Sequence, residues 1–207
     1  LMALYFVERT YAIFTSQDLL HWDLLQKFDL PGDDECPDLY PLTADDGRTL
    51  WVYSGAHDMY FVGDFDENGL YQPIQSVGQL SYNSQSYAAQ TYYYEPGKPV
   101  IRFAWNRSDI PGAPFNGSMC TPTEMTLKKH GDRYYLSALP IKSTENLVVK
   151  SDKLDDFTLT HCTHELGSKT CRISFTVKEG DLTCNLYGLE MKLSLIHISE
   201  PTRLQLI

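Results

Sequence analysis

The sequence predicts an all-β chain, with blades of a β-propeller followed by the start of a β-sandwich. Three observations carry this reading. Few segments repeat apolar residues at helical spacing, whereas alternation and enrichment in Tyr, Val and Phe recur along the chain. Hairpin turn signals return roughly 35–50 residues apart, the spacing of propeller blades rather than of a sandwich. After Pro140 the texture turns polar and charged, and strand-like alternation resumes only at CRISFTV, which begins at Cys171.

Taken in order, LMALYFV and YAIFTS read as strands around a tight Glu8-Arg9-Thr10 turn. Ser16 to Trp22, SQDLLHW, reads as a capped single turn that docks Leu20 and Trp22 on the sheet. DLYPL and TLWVYSG flank the hairpin signal Asp45-Asp46-Gly47-Arg48, and MYFVGDF follows as a further strand. AAQTYYY and VIRFAWN flank Glu95-Pro96-Gly97-Lys98, and TEMTLKK and YYLSALP flank His130-Gly131-Asp132. Lys142 to Asp156 serves as a connector. CRISFTV and LTCNLYGLEMKL then read as antiparallel strands around Lys178-Glu179-Gly180-Asp181, too few to close a sandwich. The expected organisation is therefore an incomplete propeller over residues 1–142, the beginning of a sandwich domain over 143–193, and a tail, 194–207, that breaks the pattern. The tail resembles translated read-through of a sequencing adapter, and is set aside with its His197. The opening Leu-Met-Ala-Leu-Tyr lies inside a strand pattern, so the chain is read as a fragment.

Charge and composition narrow the function classes. Lys and Arg number 17 against 27 Asp and Glu, a formal net charge of -10, which argues against nucleic acid because a phosphate binder needs a basic face. No apolar run approaches the roughly 18–20 residues of a membrane-spanning helix. The five cysteines include no Cys-x-x-Cys pair, so buried free thiols are expected rather than a disulfide framework. His161, Cys162 and His164 invite a zinc reading, but no second close pair of ligands follows.

The densest chemistry is the acidic stretch DDECPDLYPL, Asp33 to Leu42. Taken alone it is a solvated turn. Read with its surroundings, it resembles something more specific. SQDLLHW is similar to the Ser-x-Asp-Leu-x-x-Trp element of five-bladed-propeller glycosidases, and ECPDL resembles the Glu-Cys-Pro-Asp motif of glycoside hydrolase family 32. YFVGDFD, YAAQTY with FAWNR, MCTPTEMTL and NLYGLEM resemble further strands of that family, in family order, from Leu1 to about Leu193.

The resemblance implies a five-bladed propeller lacking its first blade and part of its second, from a β-fructofuranosidase such as an invertase, levanase or inulinase. It implies that Glu35 is the general acid/base of a retaining cleavage. Crowding by Asp33, Asp34 and Asp38 is expected to disfavour a further negative charge on Glu35, and Pro37 to stiffen the chain beside it. Trp105 is either a wall of the fructosyl pocket or a buried packing residue. Asp38, Tyr87, Gln90 and Asn106 are candidate partners for sugar hydroxyls. Cys36 is expected to pack beneath the acid, and His57 to lie exposed on a loop, with a place at the pocket rim as the alternative. The implied partner is a small or polymeric fructoside, with no cofactor, metal, nucleic acid or membrane. The family's Asn-Asp-Pro-Asn-Gly nucleophile motif and its Arg-Asp-Pro motif do not occur in the sequence. Where the family tends to carry Asp-x-Gly, Ser81 to Ser86 reads SYNSQS, which leaves sucrose, inulin and levan equally open. A furanosidase acting on arabinan or xylan, and a non-catalytic sugar-binding propeller, remain as alternatives.

Overall fold

The computed structural model describes residues 2–5, 10–81, 85–92, 97–109, 111–153, 163, 165, 173–177, 180–186, 188–194 and 202–206. The expected Glu8-Arg9 turn, His161, Cys162 and His164 lie outside them. Among the described residues the structure is all-β, its one helical element being a 3-10 turn at Lys142–Leu147. The chain divides into two compact units, 1–151 and 152–207. The connector thus starts within the first unit, where the Ile141 N–H donates to the Pro122 carbonyl at 3.1 Å.

Three antiparallel sheets build the first unit. β1 (Met2–Tyr5), β2 (Tyr11–Thr15) and β3 (Asp23–Phe28) form one, in that order. β4 (Asp38–Thr43), β5 (Thr49–Ser54) and β6 (Met59–Phe65) form the next, and the outer edge of β6 is shared by β7 (Tyr71–Pro73) and β8 (Gly78–Gln79). In the third, β9 (Ser86–Tyr92) pairs with β10 (Ile101–Asn106), whose other edge carries β11 (Ser118–Met119) and β12 (Thr123–His130), followed by β13 (Arg133–Pro140). Up-and-down sheets of this kind are the units of a propeller.

Alternation explains how the sheets stack. In the middle sheet Tyr40, Leu42, Leu50, Val52, Tyr60 and Val62 face one way and join Met125, Leu127, Tyr134 and Leu136 of the third sheet. Their neighbours Leu39, Trp51, Tyr53, Met59 and Phe61 face the other way and join Tyr11, Ile13 and Phe28 of the first. Both faces of the middle sheet are therefore dry, which is why MYFVGDF carries so few polar residues. The first interface is largely aromatic, with Phe28 and Tyr53 rings 4.6 Å apart, edge to face.

Adjacent sheets are also joined by a repeated polar device. Gln26 on β3 donates through Nε2 to the Tyr71 carbonyl at 2.9 Å and accepts the Tyr71 N–H at 2.7 Å. Gln75, just after β7, treats Tyr134 on β13 in the same way, at 2.8 Å for both bonds. One side-chain amide thus replaces a missing strand partner at each junction.

Several expectations are corrected. The SQDLLHW turn is capped as predicted, with Ser16 Oγ accepting the Leu19 N–H at 2.7 Å and Asp18 accepting from Leu20 and His21 at 2.9 and 2.8 Å. Leu20, however, is 81% exposed rather than docked. Trp22 is half-buried and donates from Nε1 to the Leu19 carbonyl. Cys36, Cys120 and Cys184 are free, but half-buried rather than buried.

In the second unit, β14 (Ile173–Val177) does not pair with the strand that follows it. β15 (Asp181–Leu186) instead forms its own hairpin with β16 (Leu189–Ser194), Leu186 facing Leu189, because Gly188 at φ 87° supplies the positive φ a two-residue turn needs. β14 pairs with β17 (Thr202–Leu206), so the tail excluded from the sequence reading contributes a strand. An unpaired edge accepts any alternating segment within reach, and TRLQL alternates.

The glutamine device is testable. Gln75→Leu leaves the Tyr134 N–H and carbonyl without protein partners, a change typically worth about 1–3 kcal/mol. The urea midpoint is expected to fall accordingly, and Gln75→Glu, which keeps the acceptor alone, to fall less.

Candidate active site

The site is organised around the turn between β3 and β4. Asp33 is buried. Its Oδ2 accepts the His57 N–H at 2.7 Å and the Met59 N–H at 3.4 Å, and its Oδ1 accepts the Asp34 N–H at 3.0 Å. His57 Nδ1 stands 3.1 Å from the same Oδ1. The acidic turn is in this way sewn to the loop joining β5 and β6. Only glycine fits at position 55, since a Cβ there would lie 2.4 Å from Asp33 Cγ.

Two residues further on, the Glu35 carbonyl accepts the Tyr11 hydroxyl at 2.9 Å and the Ala56 N–H at 2.9 Å. With its main chain held from both sides, Glu35 sends its carboxylate outward, where Oε2 accepts the Tyr87 hydroxyl. Cys36 then adopts φ 47°, a left-handed conformation rare for a residue with a Cβ. This turns its carbonyl toward Gln90, whose Nε2 donates to it at 3.1 Å. Burial, and after it the charges of Glu35 and Asp33, push the Cys36 thiol up, so it stays protonated and unsuited to nucleophilic work.

Tyr87 and Gln90 lie three positions apart on β9, which in a regular strand would put them on opposite faces. A β-bulge brings them together. The register pairs Trp105 with Tyr87 and Phe103 with Gln90, so Ala88 and Ala89 jointly oppose Ala104. Ala88 absorbs the irregularity at φ 51°, and its N–H donates to the Ala56 carbonyl at 3.0 Å. Bulge, acidic turn and β5–β6 loop therefore meet at one place.

Around Tyr87 stand three more side chains. The Trp105 ring lies 6.3 Å away, edge to face, the His57 ring 4.9 Å away, and the Arg107 guanidinium 4.2 Å over the Tyr87 ring face. Trp105 is 45% exposed, which removes the reading of a buried packing residue. Gly117 makes room for it, because a Cβ there would lie 2.5 Å from its Nε1.

The remaining candidates are placed differently. Asp38 accepts the Thr91 N–H at 2.6 Å, and burial pushes its carboxyl up against the opposing effect of that bond. Asn106 opens the turn after β10, donating to Ser118 Oγ at 3.2 Å and accepting from Ser108 Oγ at 2.7 Å. The structure thus groups Glu35, Tyr87 and Gln90, with Trp105 beside Tyr87, and gives Asp38 and Asn106 main-chain and loop partners. Asp33 and Asp38, expected to crowd Glu35, each accept backbone N–H groups.

Sequence reasoning passed over Tyr11, Asp58, Arg102 and Arg107. Asp58 and Arg102 form a buried ion pair that also engages Ser86, at 2.9 Å from Arg102, directly before Tyr87. A small cavity of about 10 Å³, lined by Asp38, Asp58, Thr91 and Arg102 together with Leu80 and Leu136, adjoins it. Asp33, Asp34 and His57 bring potential ligand atoms within 4.8 Å of one another. Asp33 already accepts three backbone N–H bonds there, so this group reads as an anchor.

The Tyr87 hydroxyl is pushed up to about 12, first by its hydrogen bond to Glu35 and then by burial and the Glu35 charge. Ionising it would break that bond and set two anions together. Glu35→Gln is expected to bring Tyr87 down toward the ordinary value of about 10, followed by 13C NMR of its Cζ. An unchanged titration would show that the bond is not made in solution.

Comparison with known proteins identifies the family. Residues 6–138 match the family model "Glycosyl hydrolases family 32 N-terminal domain". A fructan beta-fructosidase of Streptococcus mutans is 28% identical over 162 residues, covering 65% of this chain and 11% of that protein. A levanbiose-producing levanase of Bacillus subtilis is 26% identical over 210 aligned positions, 90% of this chain and 39% of the levanase. The exo-inulinase of Aspergillus awamori superposes with a TM-score of 0.60 at 22% identity, over 86% of this chain and 37% of the inulinase. The chain spans well under two thirds of each of these relatives, and it belongs to glycoside hydrolase family 32 through its first unit.

Proposed function

We propose that the protein carrying this chain hydrolyses β-fructofuranosidic bonds with retention, and that Glu35 is its general acid and then its general base. The observation that carries this is the Glu35 carboxylate, projected from a turn whose main chain is fixed on both sides and met by the Tyr87 hydroxyl. Glycoside cleavage needs one such carboxyl group beside the leaving oxygen. In the first step Glu35 gives its proton to that oxygen as the bond to fructose breaks and an aspartate carboxylate captures the fructosyl group. In the second it takes a proton from water, whose oxygen displaces the aspartate. On this reading the aspartate belongs to an Asn-Asp-Pro motif upstream of the present sequence, and the first unit is part of a five-bladed propeller followed by a sandwich domain.

Tyr87 holds the carboxyl group in orientation in both steps. The exposed Trp105 ring supplies a wall against the apolar face of the fructosyl ring. Gln90 keeps the Glu35-Cys36-Pro37 turn closed. Both sequence relatives are named for fructan or levan, which favours a polymeric fructoside as substrate.

The test is Glu35→Gln in the full-length protein. Loss of the transferable proton is expected to slow glycosylation about 10²–10⁴-fold on sucrose or a fructan, whose leaving alkoxide needs protonation. An aryl fructoside with a nitrophenolate leaving group should lose far less in that step. Azide, which needs no base, should then restore turnover and give a β-fructosyl azide. Equal losses on both substrates with no azide product would remove Glu35 from this role.

A further inference from the structure

His57 is unlike an ordinary loop histidine. Its backbone N–H and its Nδ1 both meet Asp33, whose side chain is fully buried, while the His57 side chain is 45% exposed. The Asp33 carboxylate already accepts backbone N–H bonds from His57, Asp34 and Met59, so Nδ1 meets it as a further donor. In the neutral ring this leaves Nε2 with a lone pair. Nε2 is joined to Nδ1 through Cε1, and its lone pair diverges from the Nδ1–Asp33 direction, in a side chain that is 45% exposed. The same ring packs edge to face on Tyr87, the residue that bonds Glu35. Among the described residues no side chain bonds Nε2.

Bracing Asp33 requires only one N–H, which an asparagine would supply. The second nitrogen is surplus to that task, and the ring that carries it packs on Tyr87, the residue that bonds Glu35. Sugar hydroxyls are donors that require acceptors, and the Arg107 guanidinium over the Tyr87 ring offers donors alone. We propose that His57 contacts the substrate, with Nε2 accepting a hydrogen bond from a hydroxyl of the bound fructoside and Asp33 fixing the tautomer that makes this possible. The proposal rests on the fructosidase reading of the Glu35 site and adds to it a residue that sets affinity.

Two amides separate the two ring nitrogens. In His57→Asn the amide nitrogen replaces Nδ1, keeping the bond to Asp33 and deleting Nε2. In His57→Gln the amide reaches the Nε2 position and gives up the Asp33 bond. In the full-length protein acting on sucrose and on inulin, His57→Asn is expected to raise KM about tenfold, the scale of one lost hydrogen bond, with kcat and Tm near wild type. His57→Gln is expected to recover most of the KM and to lower Tm. This crossed pattern is what a purely structural histidine cannot give. A wild-type KM in His57→Asn, or a KM that follows Tm through both variants, overturns the proposal and leaves His57 as a brace for Asp33. Wild-type protein that turns over neither sugar overturns the fructosidase reading itself, and this inference with it.

Discussion

A carboxylate taken out of water must be met by donors, and Asp33 shows how one such demand organises a site. Its oxygens draw the N–H groups of Asp34, His57 and Met59 to one point, so the turn after β3 and the loop before β6 have a single mutual arrangement. Gly55 follows from it, because the carboxylate occupies the space a Cβ would take. So does the position of the Ala56 N–H, which meets the Glu35 carbonyl and leaves the Glu35 side chain one direction in which to project. The left-handed Cys36 completes the reversal, and such strain is tolerated where the surroundings over-determine the backbone.

The far side of the same loop is held by a second buried charge. Asp58, at φ 64°, pairs with Arg102 on β10, and both engage Ser86 at the start of β9. The loop from Gly55 to Asp58 is therefore gripped from the acidic turn by Asp33 and from the third sheet by Arg102. Ser86 precedes Tyr87, so the grip reaches the phenol that bonds Glu35. Burial pushes the Asp58 carboxyl up, while the Arg102 charge acts in the opposite direction. Removing either partner of such a pair would leave an uncompensated buried charge.

Packing supplies the platform for these contacts. The middle sheet is apolar on both faces and locks against a sheet on either side, with Gln26 and Gln75 joining main chains across the two junctions. Further out, the Asp45-Asp46-Gly47-Arg48 turn docks on the third sheet, Asp45 accepting the Lys129 N–H at 2.8 Å and Asp46 the Tyr134 hydroxyl at 2.9 Å. A hairpin turn that reads as solvent-facing is in this way a contact between sheets.

What the sequence determined by itself was local. Runs of apolar, β-favouring residues in LYPL, TLWVYS and MYFVGDF marked the strands, because a sheet buried on both faces is apolar at successive positions. Glu35 stood out because ECPD is a contiguous motif, and the Ser16 and Asp18 caps because their partners lie within three residues. Tertiary structure alone decided the rest. Nothing in YAAQTY announces that a bulge at Ala88 turns Tyr87 and Gln90 to the same side, since the extra residue is defined only against the opposing strand at Ala104. The acids around Glu35 read as a crowd of like charges, yet Asp33 and Asp38 have their donors on residues 24 and 53 positions further along the chain. His57 is exposed, as its loop position suggests, but its contact with Asp33 left no sign in the sequence, the two being adjacent only after the β4–β5 hairpin has run out and returned. Hydrogen bonds between distant segments leave no periodic trace, and it is these that turn an acidic stretch into a site.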